Sequence, residues 1–341
     1  MAAPRVNTER TAFRRRTAGI ALLSAVALAA PLLVSGCGGG PPRTPPGRPP
    51  VTTPTPATTV GLRLPLNAHL PTPGEQATGE YLVYRVEQHC MRGYGFRYLP
   101  RLSSEYIGTT VATWREYESR RYGISERTIA ARRGYHLADQ PSTTRAPQTA
   151  TTLSVPEREA LSVPEREALS GRAPDGRKLT TPVRNKFVPD GGCTGLAERA
   201  VYGDRAAEAQ RGYDLVARLR GEAFERSRSD PRVAAVNGKW SSCMRGKGFT
   251  YRDPDAAIED PRWNLLSAGP NRAEVAVATA DIACKLRTNL LGVNFAVEAE
   301  YENAAIAAHS QELTEVRTHK AAEAERLPGL MRRYDRAPRP L

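Results

Sequence analysis

The nonapeptide CMRGYGFRY, Cys90 to Tyr98, returns 153 positions later as CMRGKGFTY, Cys243 to Tyr251. Seven of the nine positions agree, and the agreements include Cys, Met and Phe, of which the whole chain holds only 5, 4 and 6. A helix that ends with Gly95 as the first residue beyond its cap places Met91 third from the end and Phe96 two positions outside. That pair is the apolar contact accompanying a left-handed glycine stop. Met244, Gly248 and Phe249 fit the same scheme. Arg92 and Arg245 then fall in the last turn, where a cation favours the helix dipole. Gly93 and Gly246 have no part in the stop and are expected to admit a neighbouring backbone. The repeat therefore reads as a helix terminator with a thiol on its inner face, its Phe and Tyr two apart on a short extended exit.

The surrounding patterns are helical. Leu82, Val86 and Cys90 recur at four-residue intervals between charged residues. Asp230 and Pro231 open a second helix as N-cap and first residue, and Val236, Trp240 and Cys243 or Met244 share a face. Asn271 with Glu274 marks another start, followed by the stripe Val275, Ala278, Ile282 and Leu286. From Val293 to Glu325 a long stretch carries Val297, Tyr301, Ala304, Ala308 and Val316, and is expected to stop at Leu327-Pro328. Residues 100–150 suggest one or two short helices and a loop. The tandem unit LSVPEREA at Leu153 and Leu161 reads as a helix start copied by replication slippage. Nothing alternates with period two between hairpin turns. The class expected is all-α or mostly α, with disulfide-linked helical domains built from two related halves.

Setting Cys37 aside, the cysteines number four: Cys90, Cys193, Cys243 and Cys284. An even number in an exported chain argues for two disulfides, with three possible pairings. If the halves are duplicates, each motif pairs with its own downstream cysteine, giving Cys90 to Cys193 and Cys243 to Cys284. His89 beside Cys90 invites a nucleophile reading, but helix neighbours point about 100° apart. Catalysis by the pair is therefore not expected.

The amino terminus determines where such a chain goes. Five arginines, Arg5 to Arg16, precede the uncharged TAGIALLSAVALAAPLLVSG, and LVSGC has a lipobox pattern in which the Cys37 thiol accepts a diacylglyceryl group. Residues 1–36 then read as a lipoprotein signal peptide, and 37–73 as a lipid-anchored, disordered Pro/Thr-rich tether. Beyond it, 74–190 is read as a first helical half with long loops, 191–327 as a second half, and 328–341 as a basic tail. Loss of residues 1–36 removes five Arg and Glu9, which lowers the formal charge from +13 to +9. The expected location is the extracytoplasmic face of the cell membrane. Partners would be membrane lipid through Cys37, with an anionic wall polymer or an envelope protein as further options, and no nucleic acid.

No catalytic, cofactor-binding or metal-ligating set stands out. The chain has no nucleophile elbow, phosphate loop or dinucleotide fingerprint. Asp253 to Asp260 lacks the glycine and terminal Glu of a calcium loop and reads as a solvated loop. His69 falls in the tether, His136 follows RRGY in a stretch without a clear pattern, His309 borders the apolar stripe of the last helix, and His319 reads as solvated. Arg-rich stretches such as RLRGEAFERSRS alternate with Glu and read as solvated helix faces. Together, the lipobox, the spacer, the two CM…GF.Y motifs and ADIACK resemble the predicted secreted lipoproteins of actinomycetes, an uncharacterised group. That resemblance implies export, lipidation and disulfides, with no activity attached. The chain is thus expected to be a structural or binding module of the envelope and not an enzyme. The alternatives are a secreted hydrolase with Cys/His or carboxylate chemistry, or a ligand-capture lipoprotein.

Overall fold

Both copies of the nonapeptide stop a helix through the same backbone bonds. In the computed structural model, which describes residues 52–97, 105–137, 161–265, 267 and 269–335, the Phe96 N–H donates to the Met91 carbonyl at 3.1 Å and Gly95 to Arg92 at 2.7 Å. Phe249 and Gly248 bond Met244 and Arg245 at 3.0 and 2.9 Å. Gly95 and Gly248 take φ of 75° and 85°, the left-handed geometry that favours glycine. Met91 and Met244 are fully buried. The calls on Tyr98, on the signal peptide and on Cys37 lie outside the described residues.

Among the described residues the elements are a 3-10 turn, Pro65–His69, and eleven α-helices. They are α1 (Pro73–Gly93), α2 (Glu105–Ser119), α3 (Arg127–Arg133), α4 (Val163–Ser170), α5 (Gly192–Tyr202), α6 (Ala206–Arg228), α7 (Pro231–Arg245), α8 (Pro254–Ile258), α9 (Arg272–Thr288), α10 (Leu290–Ala308) and α11 (Ser310–Tyr334). The described part is mostly helical with no β-strand. None of its helices is long and apolar enough to cross a membrane. The expected caps are in place: Asp230 accepts from the Arg232 N–H and Asn271 from the Glu274 N–H.

Two disulfides join helices, Cys90 to Cys193 and Cys243 to Cys284, with Cα separations of 5.6 and 5.7 Å. Gly79 near the start of α1 lies against Val201 and Tyr202 at the end of α5, so α1 and α5 run antiparallel. Trp240 bonds Asp281 three residues before Cys243 meets Cys284, so α7 and α9 run in the same sense. The two motif helices are therefore alike, and their stapled partners are oriented differently. Around the second disulfide Trp240, Met244, Ile282, Leu290 and Leu291 form the largest apolar cluster, with Ile124 and Tyr135 packed in. Around the first, Met91, Phe96 and Tyr81 surround Cys193.

Three segments depart from the sequence reading. Residues 52–73, read as tether, belong to the folded body. Leu66 is fully buried among Val216, Leu219, Leu313 and Val316, and its N–H donates to Glu302 at 2.8 Å. Burying one leucine contributes about 1.5–3 kcal/mol, enough to order a short Pro-rich strap. Leu62, Leu64, Leu66 and Leu70 carried that signal within a run whose Pro and Thr dominated the composition. The long C-terminal stretch breaks at His309, with φ −119° and ψ 32°, and not at Pro328, which lies inside α11. Leu327, Leu330, Met331 and Tyr334 pack on α1 and α5, so the helix continues through a lost backbone bond, and residues 328–334 are not a free tail. The boundary at 190 is likewise no division, because α5 beyond it is bonded to α1 before it, and residues 50–341 form one unit.

Gly93 and Gly246 also differ from expectation. A Cβ on Gly93 would meet nothing, and on Gly246 only backbone of its own last turn, so neither admits a neighbouring backbone. A Cβ on Gly95 would sit 2.9 Å from Arg184 Nη1 in a conformation that L residues avoid. Gly93→Ala should therefore raise stability by up to about 1 kcal/mol. Gly95→Ala should lower it by about 1–2 kcal/mol. Urea unfolding of the two variants checks this, and equal effects would contradict the stop geometry.

Candidate functional site

The residues singled out in the sequence do not converge. Cys90, Cys193, Cys243 and Cys284 are consumed in disulfides. His89 stacks edge-on against Tyr334 at 5.5 Å. His69 is buried, with Nδ1 3.2 Å from the Leu313 carbonyl oxygen, and desolvation lowers its pKa. His309 lies 3.3 Å from Glu312. Asp253 caps α8, so the stretch read as a solvated loop contains a short helix, and Asp260 is held by Arg262 and Tyr251. Among the described residues, no group of His, Cys, Asp and Glu is arranged to hold a metal ion.

Chemistry-bearing side chains gather in two other places. Under the second disulfide, ADIACK supplies a fully buried ion pair: Lys285 Nζ lies 3.0 Å from Asp281 Oδ2 and donates to the Ile124 carbonyl at 2.9 Å. Asp281 also accepts from Trp240 Nε1 at 2.9 Å. Burial pushes its carboxyl above the ordinary value against the pull of Lys285. Two turns before Asp281 on α9, buried Glu274 accepts the Tyr135 N–H at 2.8 Å. Gly123 and Gly134, both at positive φ, bring the backbone flanking α3 so close that a Cβ would collide with Lys285 Nζ and Glu274. This centre is sealed: it pins α3 and its flanks to α9 and offers no opening to a substrate.

The second place is open. A groove follows one face of α6, where Ala206, Gln210, Tyr213, Ala217, Arg220 and Phe224 recur at three- and four-residue spacing. It has two lobes, of about 610 and about 370 Å³, which share Asn67, Trp114, Glu118 and Arg220 as a common wall. These volumes lie in the range of ligand pockets. In the larger lobe Glu80 accepts from the Tyr106 hydroxyl and Glu323 from the Tyr213 hydroxyl, at 2.5 and 2.9 Å. Burial pushes Glu323 up, and Tyr106 up to about 12. At the smaller lobe Arg121 is doubly bonded to buried Glu298, which also accepts from Tyr122 at 2.6 Å.

Between the lobes the polar groups are incompletely matched. Arg220 makes no hydrogen bond or ion pair among the described residues, and its Nε is buried. Asn67 Oδ1 is also buried without a partner. Glu302, which is not among the residues lining either lobe, also has Oε1 buried without a partner, and its other oxygen holds the Leu66 N–H. Arg220 and Asn67 were missed in the sequence because the first sits in an apparently solvated Arg/Glu stretch and the second in the apparent tether. A search for polar residues on the α6 stripe through Tyr213 and Ala217 would have found Arg220.

Comparison with family models, with curated proteins and with solved structures finds no match for this chain.

Glu302 generates a pH dependence. Burial pushes its pKa up to about 7 from an ordinary 4.5, so between these values the folded state binds more protons than the unfolded. Stability is therefore highest at the acid end of this window and falls as pH rises through 7, by a few kcal/mol at most. Glu302→Gln should flatten that slope and stabilise the protein at pH 8. Denaturant midpoints measured from pH 5 to 8 test it, and an unchanged slope in the variant would assign the dependence elsewhere.

Proposed function

We propose that the chain is a lipid-anchored binding module on the extracytoplasmic face of the cell membrane, acylated at Cys37, with the groove along α6 as its binding surface. The observation that carries this reading is the pairing of all four cysteines of the folded body in two disulfides. Such bonds persist in oxidising compartments and are rare in the cytosol. They bear on function as well as location: with Cys90 in a disulfide there is no thiolate for His89 to activate. The LVSGC sequence supplies the attachment point, and two acyl chains, each buried CH₂ contributing about 0.8 kcal/mol, suffice for stable anchoring. The chain's likeness to secreted actinomycete lipoproteins at LVSGC, CM…GF.Y and ADIACK supports the same assignment.

Metabolic labelling with an alkyne fatty acid should tag the full chain in its bacterial host, and Cys37→Ser should abolish the tag and release the protein from the membrane fraction. Label incorporated into the Cys37→Ser variant, or none in the parent chain, would refute the anchor.

A further inference from the structure

We propose that the hairpin turning at Arg184 and Asn185 is a membrane-docking element: the Phe187 phenyl enters the interface of an anionic bilayer, and Arg92, Arg97, Arg184 and Lys186 meet its phosphate headgroups. This rests on the reading of the chain as lipid-anchored and goes beyond it, giving the body a second contact with the bilayer that holds the anchor.

The link between α4 and α5 holds this turn still. Val183 and Lys186 exchange both backbone hydrogen bonds, at 2.9 and 3.0 Å, around two central residues at positive φ, 46° for Arg184 and 63° for Asn185. A bulky side chain avoids that conformation, so the turn persists because its surroundings over-determine it. Arg184 Nη1 donates to the Tyr94 and Gly95 carbonyls at 3.1 and 3.0 Å, and its guanidinium lies 4.1 Å from the centre of the Phe96 ring. Lys186 Nζ donates to the Gly93 carbonyl, and the Tyr94 hydroxyl donates to the Phe187 carbonyl at 2.8 Å. Val183 is buried in the cluster that holds Met91 and Phe96. All these contacts lead to the glycine stop of α1, so the turn is fixed to the stapled end of that helix.

What this scaffold presents is a phenyl ring among cations. Phe187 is 78 % exposed, more than any other large apolar side chain of the described residues. One exposed apolar side chain is ordinary on a surface. Here, however, a strained and fully tied turn buries Val183 and keeps Phe187 outside. At the same end of α1, Arg97, Arg184 and Lys186 are exposed and Arg92 is half-buried, and none of the four is in an ion pair among the described residues. The two carboxylates of the link, Asp175 and Asp190, are taken by Arg177 and Lys178. The carbonyls that Arg184 and Lys186 hold carry no charge to cancel theirs, and both side chains keep further N–H donors for a phosphate.

Charge and apolar exposure together select the partner. A hydrated polyanion would answer the cations and leave the phenyl in water. A protein interface of standard size has an apolar core, whereas the link offers a single exposed large apolar side chain. A bilayer interface answers both, with phosphates at its surface and hydrocarbon just beneath. The contact is weak alone, because one apolar group and a few cations fall short of stable anchoring, and it becomes effective once acylation supplies the first attachment. It is therefore compatible with release of the Cys37→Ser chain from the membrane fraction.

The experiment uses residues 38–341 with both disulfides formed, which keep the whole compact unit of residues 50–341 and carry neither the apolar leader nor the cysteine to be acylated. Co-sedimentation is measured with vesicles of phosphatidylglycerol and phosphatidylcholine in equal amounts, and with phosphatidylcholine alone. The expected result is binding at millimolar lipid to the anionic vesicles only, weakened about tenfold by Phe187→Ser and about fivefold by Arg97→Glu. Both side chains are exposed, so melting temperatures should be unchanged, which separates lost docking from lost folding. Phe187→Trp should gain emission that brominated acyl chains quench, a readout that a contact through cations alone would not move. No binding to the anionic vesicles, equal binding to the neutral ones, binding indifferent to Phe187→Ser, or an unquenched Phe187→Trp would each overturn the proposal. So would binding of poly(glycerol phosphate) in place of vesicles, which would make the patch a polymer site. Acylation at Cys37 is read by the fatty-acid labelling and stands or falls apart from these outcomes.

Discussion

The fold depends on two helices being stopped with a thiol facing inward. Closing loops of 103 and 41 residues contributes roughly 4–5 kcal/mol each in the chain-entropy picture, against a net stability of about 5–15 kcal/mol for a typical domain. The helices need that help. Only 6 % of the residues are aromatic, and alanine fills much of the buried surface. Alanine and glycine let helices approach closely, as Gly79 does against Tyr202 and Gly212 against Val316, but bury little apolar area per residue. The glycine stop fixes where each motif helix ends, the methionine one residue after the cysteine is driven into the core, and the cysteine is thereby presented at a defined angle to its partner helix.

Buried charge is met in two ways in this molecule. Asp281 with Lys285, and Glu298 with Arg121, satisfy one another through short bonds reinforced by Trp240 and Tyr122. A pair of this kind is weak evidence for stability, but removing one partner is strongly destabilising. Arg220, Asn67 and Glu302 each keep one buried polar atom without a hydrogen bond among the described residues, and so do His136 and Glu274 beside the sealed centre. Both occur within one helix, since Glu298 and Glu302 are one turn apart on α10, the first closed by Arg121 and the second left with one buried oxygen unbonded.

The legible part of the sequence was the part governed by local rules. The stop at Gly95 and Gly248 and the caps at Asp230 and Asn271 follow from spacing within one element, and the pairing of each motif with its downstream cysteine from treating the two nonapeptides as copies. What was not legible depended on tertiary contact. Leu66 is an apolar residue in a Pro/Thr run, and only the cleft between α6 and α11 makes it a core residue. Pro328 ends a helix by local rules, yet packing of Leu327 and Met331 on α1 carries the helix past it. Arg220 looks like any arginine of an Arg/Glu helix until the strap bearing Asn67 is laid beside it. The candidate site therefore lies where the sequence was least readable, since it is assembled from residues as distant as 67, 114 and 220.

Placing the strap in the body shortens the spacer that the proposed anchor at Cys37 would leave. A tether reaching to residue 73 would allow separations near 100 Å, whereas a body that begins by residue 52 leaves only residues 38–51 after Cys37. Fourteen residues span at most about 50 Å even when fully extended. Acylation at Cys37 would then confine the groove to a shell of that depth, and the strap that shortens the reach also supplies Asn67 to the groove wall. Tension on the anchor would act on the chain entering Pro54, whose carbonyl is held by Asn289, and on Leu66, whose N–H is held by Glu302. An anchor at Cys37, as proposed, would thus pull on a segment that also supplies Asn67 to the groove wall, although its composition alone suggested nothing more than a spacer.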